Sequence, residues 1–365
     1  MFINIKSACT EGIRCIPVHV EVSATTGLPQ ETIIGLPDTV IKESRSRIKS
    51  ALQLAGFSLP AMSYVINLSP TDVMKRNTSL ELAMCVALLH VTQQISANDS
   101  FCFIGSLSLD GRVLPTRHIL SMIYHYPNWK KTTFIIPHDN ISDIHPLHGL
   151  SYISISHLND LRSIQSSPTL SIPVTPPKAP TISGSFDHIF GHDLIKKACA
   201  YSIIGQHPML LIGSPGIGKT MLIEHMKTLS TPLDHSSAIE NTCIETLLKS
   251  TFEYTNTPPF RSPHHSISYA GMLGGKNPPQ PGEITRANHG ILFLDELGEY
   301  HRSILDTLRE PMESQTIQLS RAGHSISYPA NFLLVAAMNP CYCGHYFDLR
   351  HPCQCTPIKI KHYWQ

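Results

Sequence analysis

The sequence predicts an α/β protein of two domains, the second built on a parallel sheet that holds a phosphate-binding loop. Three observations lead there. A proline-rich stretch divides the chain, short apolar runs alternate with helical patterns on both sides of it, and a strand, a glycine loop and a helix follow it in direct succession. The 365 residues leave room for about two or three domains. Hydrophobic residues form 42% of the chain and the net charge is +1, so a core is assured and disorder is excluded. That charge balance also excludes binding nucleic acid by bulk electrostatics; a local patch must supply any such contact.

The N-terminus, Met1-Phe2-Ile3-Asn4-Ile5-Lys6, lacks the basic, apolar and small-residue regions of a secretory signal. No apolar run reaches about 18 residues, so no membrane helix is expected. The ten cysteines are therefore expected reduced, in a cytoplasmic protein, as buried thiols or metal ligands.

In the first domain, residues 1–165, Ile16–Val22 reads as a strand. Residues 39–54 place Val40, Ile41, Ile48, Ala51 and Leu52 at near-helical spacing, and Gly56 stops that helix. Tyr64–Leu68 reads as a strand and Leu80–Val91 as an apolar helix. Phe101–Leu109 and Arg112–Leu114 read as a hairpin turning at Asp110-Gly111. Thr133–Pro137 is a further buried strand. Pro168, Pro173, Pro176, Pro177 and Pro180 make residues 166–185 an extended linker, because proline fixes φ and lacks the backbone donor.

The second domain, residues 186–365, opens with a helix at 193–204 and the strand Met209–Ile212. Gly213-Ser214-Pro215-Gly216-Ile217-Gly218-Lys219-Thr220 follows, then a helix over 221–229. This spacing turns backbone N–H groups inward around a phosphate at a helix N-terminus. Lys219 is placed to reach the β- and γ-phosphates of ATP, and Thr220 to ligate Mg²⁺. Ile291–Leu294 is an apolar strand ending in Asp295 and Glu296. Asp295 would hold Mg²⁺, and Glu296 would orient or deprotonate the attacking water. A third strand, 332–337, ends at Met338-Asn339, where a polar side chain would sense or position that water; a lone Asn is also a common turn former.

Two segments interrupt this core. Residues 258–283 are rich in His, Gly, Pro and Ser and carry Arg261, Tyr269 and Lys276; residues 316–329 read as a hairpin near Gly323 that carries Arg321. Beyond them, Cys341-x-Cys343 and Cys353-x-Cys355 offer four thiolates in two close pairs, a set that suits tetrahedral Zn²⁺; reduced thiols on a loop are the alternative. His345 and His351 lie between the pairs, and residues 358–365 read as the start of a helix.

The second domain resembles an AAA+ ATPase of the magnesium-chelatase-like group, and the chain as a whole resembles the ComM/YifB family. The resemblance rests on Gly191-His192, the phosphate loop, Pro259-Phe260-Arg261-Ser262-Pro263-His264-His265-Ser266, Gly274-Gly275 and Pro281-Gly282-Glu283-Ile284. It continues through Gly290–Leu297, Leu308-Arg309-Glu310-Pro311 and Ala337-Met338-Asn339-Pro340, with Gly35-Leu36-Pro37-Asp38 and Glu43-Ser44 in the first domain. It implies a hexameric ring that hydrolyses ATP at subunit interfaces and drives branch migration on single-stranded or branched DNA in natural transformation and recombination. In similar rings both interrupting segments project towards the channel, so Arg261, Lys276 and Arg321 are expected to contact DNA phosphates and Tyr269 to stack on a base; solvated loop residues are the alternative. A metal-insertion ATPase like magnesium chelatase and an inactive nucleotide-binding scaffold are the other readings. Similar chains continue with a Gly-Pro-Leu-Leu-Asp-Arg-type segment bearing a trans-acting arginine and then a helical lid. The resemblance therefore implies a chain truncated before arginine finger and lid, with weak ATP binding and slow hydrolysis.

The first domain resembles the ribosomal-S5-like fold of Lon-type protease domains through Gly105–Pro115. That chemistry needs a serine with a lysine base. The serine setting is altered around Lys75-Arg76-Asn77-Thr78-Ser79-Leu80, and residues 116–122 supply Arg117 and His118 but no lysine. Arginine stays protonated, so an interaction domain without protease activity is expected.

Overall fold

The computed structural model describes all residues except 36–37, 71–77, 175–183, 188, 250, 277–278, 322–323, 349–350 and 365, and the side chains of 38–42, 321 and 324. The chain forms two compact units, Met1–Pro176 and Pro177–Gln365, divided within the proline-rich stretch. Part of that stretch is not linker. Leu170–Ser171 pairs with Ser151–Ile155 as an edge strand, a place where nearby prolines cost no ladder bond.

The first unit is an eight-stranded mixed sheet. Its strands run in the order Leu170–Ser171, Ser151–Ile155, Thr133–Pro137, Phe101–Phe103, Phe2–Glu11, Arg14–Thr25, Ser63–Ser69, Gln30–Ile34. A long antiparallel hairpin, Phe2–Glu11 with Arg14–Thr25, forms its centre. Val18, Val20, Val22 and Ala24 alternate onto the buried face while His19 points to solvent, the period of a half-buried strand. The helix Glu81–Val91 is apolar nearly all round and is buried accordingly. Its first residue, Glu81, is fully buried yet satisfied: it pairs with Arg47, accepts from the Ser44 hydroxyl at 3.1 Å and from the Leu107 N–H at 3.0 Å.

One expected element is divided. Phe101–Phe103 joins the large sheet, parallel to Phe2–Glu11 and Thr133–Pro137. Only Ser106–Leu107 and Val113–Leu114 form the small hairpin around Asp110-Gly111, where Gly111 has φ 90°. The break leaves Glu81 to receive the Leu107 N–H.

The second unit is centred on a four-stranded parallel sheet in the order Met209–Ile212, Leu333–Met338, Ile291–Leu294, Phe260–Arg261. Ile291–Leu294 is buried throughout, as a continuously apolar run in a parallel sheet should be. The helices Asp193–Gly205 and Lys219–Leu229 pack with this sheet through Cys199, Ile223 and Met226. Thr316–Arg321 and His324–Pro329 form an antiparallel hairpin of their own. The registers set Ile212 opposite Met338 and Leu294 opposite Ala336, so three adjacent strands end together at one edge. Ligands bind beyond such carboxyl ends.

Candidate functional site

The loop Gly213–Thr220 leaves the first of these strand ends. Gly216 and Gly218 adopt φ 77° and 89°, a left-handed region that glycine enters without cost. Around Gly216 no atom lies within 4 Å of where a Cβ would sit, so an anion can approach its backbone. Gly218 caps the helix Lys219–Leu229, whose N-terminus adds partial positive charge.

The Lys219 ammonium sits at the centre of the site. It donates to Gly213 O at 2.6 Å, to Ser214 O at 3.0 Å and to Asn339 Oδ1 at 3.1 Å. Burial holds its pKa below the ordinary lysine value, against the opposing pull of Asp295. A phosphate at this point would favour the charged form and supply better acceptors than two carbonyls and an amide. The residues therefore fit a nucleotide phosphate.

Thr220 Oγ1 donates to Asp295 Oδ2 at 2.9 Å. Two oxygens on adjacent corners of an octahedron with ligands at about 2.1 Å stand about 2.9–3.0 Å apart, so this pair fits Mg²⁺. Asp295 Oδ1 accepts from the Glu296 N–H at 2.9 Å, which fixes the carboxylate. Glu296 takes a left-handed turn, φ 52°, out of the strand. Its Oε2 lies 3.4 Å from His265 Nδ1. The His265 ring in turn stacks on His264 at 4.0 Å and meets Tyr300 edge-on at 6.5 Å. Burial, then the charges of Asp295 and Glu296, push Tyr300 up to about 12, and its hydroxyl donates to Pro263 O. His265 is the contact that sequence reasoning missed. The paired histidines were visible, but nothing local says that they face a carboxylate thirty residues on.

The residues read as DNA contacts have different surroundings. Arg261 is neither a solvated loop residue nor an open cation: Glu283 holds it at 2.6 and 2.8 Å in a bidentate pair. Arg286 extends this network to Glu283 at 2.9 Å and Glu245 at 3.1 Å. Lys276 is exposed, with φ 76°, and Tyr269 is exposed at the start of the helix Tyr269–Leu273. Arg321 lies in a described strand, but its side chain lies outside the described residues.

The four cysteines come together. Cys341 Sγ lies 3.3 Å from Cys343 Sγ and 3.7 Å from Cys353 Sγ, and Cys343 and Cys353 are 3.5 Å apart. The ligand atoms of all four, Cys355 included, lie within 4.8 Å of one another. The edge of a tetrahedron of sulfurs at about 2.3 Å from Zn²⁺ is about 3.8 Å, so the set fits that ion. Backbone N–H groups of His345 and Gln354 pull the Cys343 thiol down, while burial and the neighbouring sulfurs of Cys343 and Cys341 push Cys353 and Cys355 up. His345 and His351 instead face Asp348 Oδ2, at 3.2 and 3.0 Å.

In the first unit Lys75, Arg76 and Asn77 lie outside the described residues. Ser79 is buried and donates to Ala8 O at 3.2 Å. His118 takes φ 62° and precedes the helix Ile119–Tyr124, and Arg117 is exposed.

A family model for "Magnesium chelatase, subunit ChlI" matches residues 185–365, and one for "Subunit ChlI of Mg-chelatase" matches residues 20–140. The chain is 37% identical over 363 residues to "Uncharacterized protein YifB" of Escherichia coli, across 96% of this chain and 70% of that protein. It is 34% identical over 370 residues to "Competence protein ComM" of Haemophilus influenzae, across 98% of this chain and 72% of that one. A shorter similarity, 25% over 183 residues, is to the "Magnesium-chelatase 67 kDa subunit" of Heliobacterium mobile, across 42% of this chain and 27% of that subunit. Among the described residues no helix is long and apolar enough to cross a membrane.

Proposed function

The chain belongs to the ComM/YifB family of magnesium-chelatase-like proteins, and from that premise we propose that it is an ATP-dependent DNA motor of the ComM type. Its substrate is single-stranded or branched DNA, its action branch migration in transformation and recombination, its form a hexameric ring in the cytoplasm. One observation carries the nucleotide half of this reading. Lys219 with Asn339, and Thr220 with Asp295, meet at the ends of three adjacent parallel strands. The competence protein among the relatives supports the DNA half.

In this reading the backbone of Gly213–Gly218 holds the phosphates and Lys219 pairs with the β- and γ-oxygens. Thr220 and Asp295 hold Mg²⁺, which when bound neutralises charge on those phosphates. Glu296 orients or deprotonates water, and Asn339 positions it. Arg261 shapes the 258–283 segment through Glu283, and Lys276 and Arg321 meet the DNA backbone. The cysteines hold a structural zinc, and the first unit serves interaction rather than proteolysis.

ATP turnover of the chain with and without forked DNA tests this. Stimulation by DNA is expected. Turnover indifferent to single-stranded and forked DNA would favour the second reading, a metal-insertion ATPase, which the magnesium-chelatase family models support.

A further inference from the structure

The cysteine cluster and the phosphate loop are joined through one short segment, residues 339–344. At its start, Asn339 Oδ1 accepts from Lys219 Nζ at 3.1 Å, two residues before Cys341. At its end, Gly344 follows Cys343 with φ 79°. A Cβ on Gly344 would lie 2.6 Å from Pro215 Cδ and 2.7 Å from Pro215 Cγ. Real side chains do not approach so closely, so only glycine lets this backbone lie against the proline ring of the phosphate loop. Between the two contacts stand Cys341, fully buried, and Cys343, whose sulfurs gather with Cys353.

The other side of the segment is also held. Trp364 Nε1 donates to Pro340 O at 2.8 Å, and the Tyr363 ring meets Tyr342 at 4.7 Å. What fixes the middle is the sulfur cluster. Sulfurs gathered at 3.3–3.7 Å stand close to the edge of a tetrahedron of thiolates around one bound cation, about 3.8 Å for zinc.

We propose that a divalent cation of zinc type, bound by Cys341, Cys343, Cys353 and Cys355, braces the nucleotide site by holding Asn339 against Lys219 and Gly344 against Pro215. The consequence for nucleotide rests on the function proposed above; the metal site and its mechanical effect on the phosphate loop do not. Gly344 is on this view a positioning residue, acting through Pro215, and metal supply sets the competence of the site.

The test uses the full chain purified under reducing conditions. Metal analysis is expected to find zinc in proportion to protein. Stripping it with a chelator is expected to speed amide hydrogen exchange in residues 213–220 and to weaken binding of a fluorescent ADP analogue by about tenfold or more, the scale of outer-shell effects. Adding zinc back restores both. Cys353→Ser with Cys355→Ser behaves like the stripped protein. Gly344→Ala keeps its zinc, which separates the brace from a general loss of fold, yet exchanges faster at 213–220. Protein without zinc, or exchange at 213–220 that ignores zinc removal, overturns the proposal. Faster exchange on stripping in a chain that binds no ADP analogue upholds the brace and overturns the nucleotide reading instead.

Discussion

Thr220 and Asp295, far apart in the chain, meet in a 2.9 Å hydrogen bond at the ends of strands separated in the sheet by a third. The separation matches two ligands of one Mg²⁺. Asp295→Asn keeps an acceptor for Thr220 but removes the charge the ion needs. The variant is expected to bind a fluorescent ADP analogue in chelator as the parent does and to lose the gain from Mg²⁺, about ten- to a hundredfold. Titrations with and without Mg²⁺ decide it; a gain equal to that of the parent would place the metal elsewhere.

Lys219 donates three hydrogen bonds, all to groups that a phosphate would outcompete. Its removal costs a charged hydrogen bond, about 1.5–3 kcal/mol of binding. Lys219→Ala is expected to bind nucleotide about ten- to a hundredfold more weakly while melting as the parent does. ATP hydrolysis persisting in that variant would show that the site has been misassigned.

At the strand end Glu296 meets the 258–283 segment through His265, whose Nδ1 lies 3.4 Å from its carboxylate. Glu296→Gln is expected to bind nucleotide normally and to hydrolyse it about 10²–10⁴ times more slowly, the range of general-base catalysis. His265→Ala removes only the neighbouring imidazole at 3.4 Å. Its turnover is expected to fall about tenfold with nucleotide affinity unchanged. Equal loss of affinity in His265→Ala would mean that the histidine supports the fold instead.

The parts of the site differ in how much local sequence signal they carry. The phosphate loop and Asp295-Glu296 were legible because their chemistry is contiguous: glycines, a lysine and a hydroxyl in eight residues, two acids at the end of an apolar run. Met209–Ile212 and Ile291–Leu294 fell where expected for the same reason. The strand Phe2–Glu11 escaped notice because its apolar and polar residues match no strict alternation, and it gains its place from pairing with Arg14–Thr25. Gln30–Ile34 is a short strand held by one parallel neighbour, and Ser151–Ile155 sits between a parallel and an antiparallel one, partners that no local pattern announces. The contacts of Arg261 with Glu283, His265 with Glu296 and Gly344 with Pro215 are tertiary, and single residues far apart in sequence carry no signal of meeting.

Arg261 and Lys276 share a segment but should fail differently. Arg261 forms a bidentate, partly buried pair with Glu283, and Arg286 leans on the same carboxylate. Because both partners keep some solvent, the loss on Arg261→Ala is discounted to about 1–3 kcal/mol of stability. Lys276→Ala removes an exposed charge and is expected to change stability by less than about 0.5 kcal/mol. If Lys276 meets DNA, its variant also binds forked DNA more weakly and with a shallower salt dependence. Denaturant melts and salt-titrated binding of both variants separate the two roles.

His118 gives the first unit a pH dependence whose sign follows from its surroundings. Burial, and then the charge of Arg117, hold its pKa below the ordinary value of 6.5. Its Nδ1 has no hydrogen-bond partner among the described residues, so no acceptor at that nitrogen rewards the protonated form. The unfolded chain therefore takes up the proton at a higher pH than the folded one. By linkage the folded state is fully favoured above about pH 6.5, and that advantage is lost as pH falls through and below this value. His118→Asn keeps a residue that tolerates the left-handed φ of 62° but cannot titrate. Melting temperatures at pH 7.5 and 5.5 are expected to fall further for the parent than for His118→Asn. The comparison cancels the other histidines, which both proteins share, so equal falls would assign the acid sensitivity to a different group.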